Sequence, residues 1–380
     1  MIHRHLVRSL ALGLSTLLLV FGCARQPKEV SIGVCMPISG PLASYGKSTL
    51  EGIRMRMDEI NQAGGVNGTA IKLVVEDNLG DGTAAINAYN KLAGSDGAVA
   101  VIGPITSTVA LAVRRPAAKL KVAVVSPTAT NDKVTRDNDY LFRACFNDSF
   151  QGTVIANFMI KEVKTAATLV DLNSDYSKGL AKSFANAFVK AGGQIVAEEK
   201  YQQRDTDFST QLKKIKDSGA ETVFVPGYPP ELPLIIKQAK AIGVQARLCG
   251  ADGWDNDTVI NGAGDNVEGC HLVGAFSPED ARPPVKAFLA AFEKRTGNRP
   301  GTFEALGYDS ASLVLEALKT GATAAAVQKG LQRIKDFEAV TGTITIDPQG
   351  DAVKSAVILK IVREGDKFTT KYVATIAPQP

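Results

Sequence analysis

Val30-Ser31-Ile32-Gly33-Val34-Cys35-Met36 runs directly into Pro37-Ile38-Ser39-Gly40-Pro41-Leu42-Ala43-Ser44-Tyr45-Gly46, and this junction decides the fold. The first seven residues are apolar and partly β-branched over a short span, the pattern of a strand buried on both faces. Pro37, Gly40 and Pro41 then break the run. Beyond them Leu50, Ile53, Met57 and Ile60 recur at helical spacing until Gly64-Gly65 stops the helix. The alternation continues with strands at Ala70–Glu76, Ala98–Ile102 and Val122–Val125 and helices at Ala84–Leu92 and Thr108–Leu120. Strands that alternate with helices imply a parallel sheet covered on both faces.

The pattern then restarts. Strands are expected at Ala167–Leu172, Gln194–Tyr201, Glu221–Val225, Arg247–Cys249 and Cys270–Val273, with helices at Ser177–Ala191, Phe208–Asp217 and Glu231–Ile242 between them. Helical spacing returns at Val285–Arg295 and Phe303–Lys319. Two tail strands, Thr341–Asp347 and Ala356–Val362, read as joined by the turn Asp347-Pro348-Gln349-Gly350. The fold class is therefore α/β, with two similar lobes, each a parallel sheet flanked by helices. No low-complexity linker separates them, so the chain is expected to cross between lobes more than once. The expected division is 30–147 plus 277–345 for one lobe and 148–276 plus 346–380 for the other.

The first residues read as an address. His3, Arg4, His5 and Arg8 precede the uncharged run Leu10–Phe21, which is too short for a stable membrane span and reads as a signal peptide over residues 1–22. Val20-Phe21-Gly22-Cys23 resembles a bacterial lipobox, which implies cleavage before Cys23, acylation of its sulfur and attachment to a membrane surface through a tether of residues 23–29. Phe21 stands where that signal usually has a small residue.

Composition excludes several classes. At 45% hydrophobic and 22% charged, the chain has the makings of packed cores rather than disorder. The formal charge of +4 falls to +2 without the two leader arginines, too little for a nucleic-acid footprint. Cys35, Cys145, Cys249 and Cys270 form no CxxC pair, and His271 is the sole histidine beyond the leader, which argues against a Cys/His zinc site. The four cysteines read as buried free thiols. No metal or cofactor is expected.

Ligands of open parallel sheets bind beyond the carboxyl ends of the strands. Those positions hold Tyr45, then Thr106-Ser107-Thr108, Thr128-Ala129-Thr130, Tyr176, Tyr228 and Asp252-Gly253-Trp254. Thr106, Ser107 and Thr108 stand at a helix start, where hydroxyls and free N–H groups suit a carboxylate; ordinary capping would use the same residue types. Asp252 suits an ammonium or a turn. Tyr45, Tyr176, Tyr228 and Trp254 suit an apolar slot or plain packing between lobes. An anion site on one lobe facing an acid on the other would clamp a zwitterion.

In these loops the sequence resembles the type I periplasmic solute-binding proteins of ABC transporters, and most of all their leucine/isoleucine/valine-binding branch. The resemblance covers about residues 29–365 and rests on Ile32-Gly33, Ser39-Gly40-Pro41, Tyr45-Gly46, Gly64-Gly65-Val66-Asn67-Gly68, Val101-Ile102-Gly103-Pro104, Ser126-Pro127-Thr128-Ala129-Thr130, Tyr176-Ser177-Lys178-Gly179, Gly227-Tyr228-Pro229-Pro230-Glu231, Gly307-Tyr308-Asp309 and Thr341-Gly342. Each piece is weak alone; their order along the chain is specific. The resemblance implies that the hydroxyl and N–H of Ser107 hold a ligand carboxylate, that Thr130 bridges carboxylate and ammonium, and that the carbonyl of Thr128 accepts from the ammonium. Asp252 falls where the branch carries glutamate, which keeps the charge and shortens the arm. Tyr45, Tyr176 and Tyr228 match pocket aromatics, Thr106 and Ala129 complete the set, and Trp254, which has no equivalent, is expected to reshape the side-chain slot. Thr106 and Leu79 lie where the branch carries a disulfide.

The resemblance implies an exported binding protein, facing the periplasm or cell exterior, that delivers an amino acid to the membrane subunits of an ABC permease. A sensor for an amino acid, amide or aromatic acid would use the same lobes. An enzyme fits poorly: Gly40 and Gly46 have five residues between them where a phosphate loop needs four, and no G-x-S-x-G elbow occurs.

Overall fold

The computed structural model describes residues 29–378. The expected signal peptide, Cys23 and most of the tether lie outside these residues. The first sheet is built from β1 (Glu29–Met36), α1 (Ala43–Gln62), β2 (Ala70–Asp77), α2 (Gly82–Asn90), β3 (Ala100–Ile102), α3 (Ser107–Leu120), β4 (Ala123–Ser126) and β5 (Leu141–Arg143). All five strands are parallel, in the order β2-β1-β3-β4-β5. Ile32, Val34 and Met36 of β1 are fully buried, as a strand covered on both faces requires.

The chain then crosses to a second sheet through α4 (Asp148–Met159), β6 (Thr165–Asp171), α5 (Asp175–Lys190), β7 (Gln194–Tyr201), α6 (Ser209–Asp217), β8 (Thr222–Phe224), α7 (Glu231–Ile242), β9 (Arg247–Gly250), α8 (Asp257–Ala263) and β10 (His271–Gly274). It returns with α9 (Pro283–Thr296), α10 (Thr302–Leu318) and α11 (Ala324–Leu331), of which α10 packs along α1. That contact is close because it is made of glycines. A Cβ on Gly52 would lie 1.9 Å from the Glu304 carbonyl oxygen, and one on Gly307 would lie 2.1 Å from that of Thr49. A small antiparallel sheet, β11 (Phe337–Ala339), β12 (Gly342–Ile346) and β13 (Ala352–Val353), follows. The chain crosses a third time to β14 (Ala356–Glu364) and β15 (Lys367–Ile376), which complete the order β15-β14-β10-β9-β8-β6-β7. The architecture is α/β, with two helix-flanked sheets joined by multiple crossovers. The first is all parallel, whereas the second, expected to be parallel too, is parallel over β10-β9-β8-β6-β7 and carries the antiparallel pair β14 and β15 on one edge.

Two expectations are corrected. The turn Asp347-Pro348-Gln349-Gly350 joins β12 to β13, not to the strand at Ala356, and those tail strands belong to different sheets. β15 was absent from the sequence reading, because exposed Lys367, Lys371 and Tyr372 dilute the apolar signal of an edge strand. The four cysteines are free and buried, and burial pushes each thiol up to about 12. Among the described residues no helix is long and apolar enough to cross a membrane.

Candidate functional site

The carboxyl ends of both sheets face each other across one cleft. On the first lobe, Ser107 opens α3 and Thr106 occupies its cap position in extended backbone, without capping the helix through its side chain. The first N–H groups of a helix have no intrahelical acceptor, so this start offers donors and positive dipole to an anion. Ser107 Oγ accepts the Asn131 N–H at 3.1 Å, and Thr128 Oγ1 donates to the Ile105 carbonyl at 2.7 Å. The loops after β3 and β4 are thereby stitched together. Arg143, fully buried, holds the second loop from behind: its guanidinium donates to the carbonyls of Ala129 and Asn131 at 2.9 and 3.0 Å and pairs with Asp351 at 2.7 Å. The Thr128 side chain is therefore spent on the scaffold, whereas Thr130 Oγ1 is buried and has no hydrogen-bond partner among the described residues.

On the second lobe, Tyr176 sits in the first turn of α5 and Asp252 follows β9. The Tyr176 hydroxyl donates to Asp252 Oδ1 at 2.8 Å and accepts the Gly253 N–H at 3.2 Å. Residue 253 must be glycine, because a Cβ there would lie 2.6 Å from the Gly227 carbonyl oxygen. Tyr176 stacks on Tyr228 with ring centroids 4.7 Å apart, and Tyr45 meets Tyr228 edge-on at 6.0 Å. Phe303, at the start of α10, stacks on Tyr45 at 4.3 Å. The sequence reading placed Phe303 in a helix and missed its part in this aromatic wall.

Bonds span the cleft and close it. The Tyr45 hydroxyl donates to the Gly253 carbonyl, Asn131 Nδ2 donates to the Asp175 carbonyl at 2.8 Å, and the Asp175 N–H donates to Thr108 Oγ1 at 3.0 Å. The structure thus brings Tyr45, Thr106, Ser107, Thr128, Ala129, Thr130, Tyr176, Tyr228 and Asp252 to the facing loops of one interface. Trp254 is the exception and corrects the expectation of a reshaped slot. It is fully buried in the core of the second lobe, with its indole N–H donated to the Val225 carbonyl at 2.7 Å. The single turn Asp252–Trp254 sends the carboxylate to the cleft and the indole back over Gly250, where a Cβ would lie 2.3 Å from the ring.

Two acidic residues share the second-lobe side. Burial pushes the Asp252 carboxyl up to about 6, against the lowering effect of the Tyr176 hydroxyl and the Gln151 amide. Asp148, unforeseen in the sequence, is the first residue of α4; burial lifts it to about 8, opposed by the neighbouring Thr130 hydroxyl and reinforced by Asp252. Among the described residues neither carboxyl is paired with a lysine or arginine. Helix-start donors facing two uncompensated acids suit a ligand with one negative and one positive end. A cavity of about 470 Å³ at the crossovers, beside Arg282, Thr341 and Tyr372, contains none of these residues.

A family model described as periplasmic binding protein matches residues 29–366. The chain is 31% identical over 333 residues to the leucine-, isoleucine-, valine-, threonine- and alanine-binding protein of Pseudomonas aeruginosa, covering 85% of this chain and 87% of that one. It is 34% identical, with a TM-score of 0.84, to the branched-chain amino acid transporter substrate-binding protein of Streptococcus pneumoniae, solved in complex with isoleucine; the match covers 91% of this chain and all of that one. It is 25% identical, with a TM-score of 0.83, to a solute-binding protein of an ABC transporter from Rhodopseudomonas palustris BisB5, solved with 3,4-dihydroxybenzoic acid and matched over 92% of this chain and 98% of the other.

Proposed function

The chain belongs to the periplasmic binding protein family, and on that premise we propose that it captures an apolar amino acid between its lobes and delivers it to the membrane subunits of an ABC permease. The observation that carries this reading is the charge layout of the cleft. The start of α3 supplies free N–H groups, and across from it stands Asp252, held by Tyr176 and paired with no cation among the described residues. Ser107 and that helix start take the carboxylate. Thr130 Oγ1, the Thr128 carbonyl and Asp252 take the ammonium. Tyr45, Tyr176, Tyr228 and Phe303 enclose the side chain.

We assign 30–147 plus 277–353 to one lobe and 148–276 plus 354–380 to the other, moving the expected boundary from 345 to 353 because β13 pairs with β12 and Ile346 and Ala352 join the first lobe's core. α10 rides on α1 and the crossovers act as the hinge. Residues 1–22 serve as the export signal, and acylated Cys23 anchors the mature protein to the membrane. An aromatic-acid ligand, as in the Rhodopseudomonas protein, fits less well. Such a ligand brings no cation to Asp252, and burying an unpaired charge is costly. A thermal-shift panel of leucine, isoleucine, valine, alanine and benzoate tests the reading. A native-state ligand at about a hundredfold excess over Kd adds about 2.7 kcal/mol of stability. Stabilisation by at least one amino acid and not by benzoate is the expected result; the reverse would overturn it.

A further inference from the structure

A polar layer lies behind the ammonium side of the site, and the roles assigned above leave it unused. Asp148 and Gln151 occupy the first turn of α4 and are fully buried. Gln151 Nε2 donates to Asp148 Oδ1 at 2.9 Å, and the same amide lies near enough to Asp252 to lower its pKa. The Asp148 N–H donates to the Thr130 carbonyl at 2.8 Å. The Thr130 hydroxyl lies beside the Asp148 carboxyl and lowers its proton affinity, although no hydrogen bond closes between them. Among the described residues Thr130 Oγ1, Asp148 Oδ2 and Gln151 Oε1 are all buried without a hydrogen-bond partner. Thr130, Asp148, Gln151 and Asp252 therefore form one chain of polar groups running from the first lobe to the second.

A threonine hydroxyl carries one proton and two lone pairs, and its neighbours decide which of them it presents to a ligand. Once ionised, the form that a bound ammonium favours, the Asp148 carboxylate can only accept, so the Thr130 hydroxyl beside it gives its proton to that carboxylate and turns its lone pairs outward to the ligand. An amide at the same position has its own N–H to donate, and would leave the hydroxyl free to donate instead. Gln151 acts likewise: with its Nε2 donating to Asp148, its free Oε1 adds another acceptor to the layer.

We propose that Asp148 is a positioning residue which, through Thr130 and Gln151, sets this end of the cleft to accept hydrogen bonds and so selects ligands bearing a primary ammonium over the same acids without one. The proposal rests on the amino-acid reading above and adds a specificity determinant outside the set of residues that touch the ligand.

The test compares one amino acid with its deaminated acid, leucine with 4-methylpentanoate, by calorimetry on wild type, Asp148→Asn, Thr130→Val, Thr130→Ser and the Asp148→Asn/Thr130→Val double variant. Asp148→Asn is expected to weaken leucine roughly tenfold to hundredfold, about 1.4–2.8 kcal/mol, while the deaminated acid binds as well or better. A general packing defect would weaken both ligands alike. Thr130→Ser keeps the hydroxyl and retains the preference, whereas Thr130→Val loses it, and these two variants decide the matter should Asp148→Asn fail to fold. The double variant should lose no more than the worse single one, since both act through the same hydroxyl. Wild type binding 4-methylpentanoate as tightly as leucine would overturn the amino-acid reading and this proposal with it. Wild type preferring leucine, with Asp148→Asn keeping that preference within about threefold or with additive losses in the cycle, would overturn this proposal alone.

Discussion

Asp252→Asn keeps the shape of the side chain and removes its charge. The Asp252 carboxylate is 7% exposed, accepts the Tyr176 hydroxyl at 2.8 Å and has no basic partner among the described residues, so the ligand ammonium is its natural counter-charge. Removing one member of a buried charge pair costs about 2–5 kcal/mol, because the other is left uncompensated. Asp148 still stands behind Thr130 and offsets part of that loss, which places the expected cost in the lower half of the range. At about 1.4 kcal/mol per tenfold, the amino-acid Kd should rise roughly 30- to 300-fold. Isothermal titration calorimetry near pH 7.5 reads this directly, with circular dichroism to confirm folding. Ser107→Ala should cost less, since the helix-start N–H groups remain; what it loses is the acceptor for the Asn131 N–H. An Asp252→Asn variant that binds within about threefold of wild type would refute the ammonium role.

Three further outcomes follow from the same geometry. Asp252 and Asp148 have carboxyls raised to about 6 and about 8, so the ligand-free fold holds their protons more tightly than the unfolded chain does. Their contribution to stability is present below the unfolded carboxyl pKa of about 4 and is lost as pH rises through those values. An ammonium ligand favours the ionised forms, so its Kd should fall between about pH 5.5 and pH 8, by up to about tenfold per pH unit for each proton released; a flat profile in calorimetry would contradict this. Because Tyr45, Asn131 and Thr108 bond across the cleft, small-angle scattering should show compaction on saturation with ligand, and Tyr45→Phe should weaken binding; an unchanged profile at proven saturation would count against closure. Cys23→Ser should abolish metabolic acyl labelling and release the protein from membranes, whereas a wild type without acyl label would remove the anchor from the account.

The alternation of strand and helix was legible because each strand of a doubly covered parallel sheet is uniformly apolar and each covering helix is not. The loops of the site were legible for the same reason: once strands are placed, the residues after them are fixed in space. What escaped had a physical cause in each case. The α4 sequence Asp148–Met159 is buried around most of its circumference, so it shows no polar stripe to mark it as a helix, and Asp148 and Gln151 were lost with it. The signal available was a polar pair three residues apart, Asp148 and Gln151, directly before an apolar run. Trp254 follows a strand like the other site residues, and nothing in sequence distinguishes an aromatic that lines a cleft from one that a single helical turn folds back into the core. The turn at Asp347–Gly350 was found and its partner strand misassigned, because β13 has only two residues and no periodicity to read.

The most direct test of a zwitterion clamp is a single calorimetric series on wild type at one pH: the best amino acid of the panel, its amide, and its deaminated acid. Loss of either charged end should weaken binding by about a hundredfold or more, since each end has its own buried partners at the start of α3 and at Asp252. A deaminated acid or an amide that binds as tightly as the amino acid would contradict the clamp.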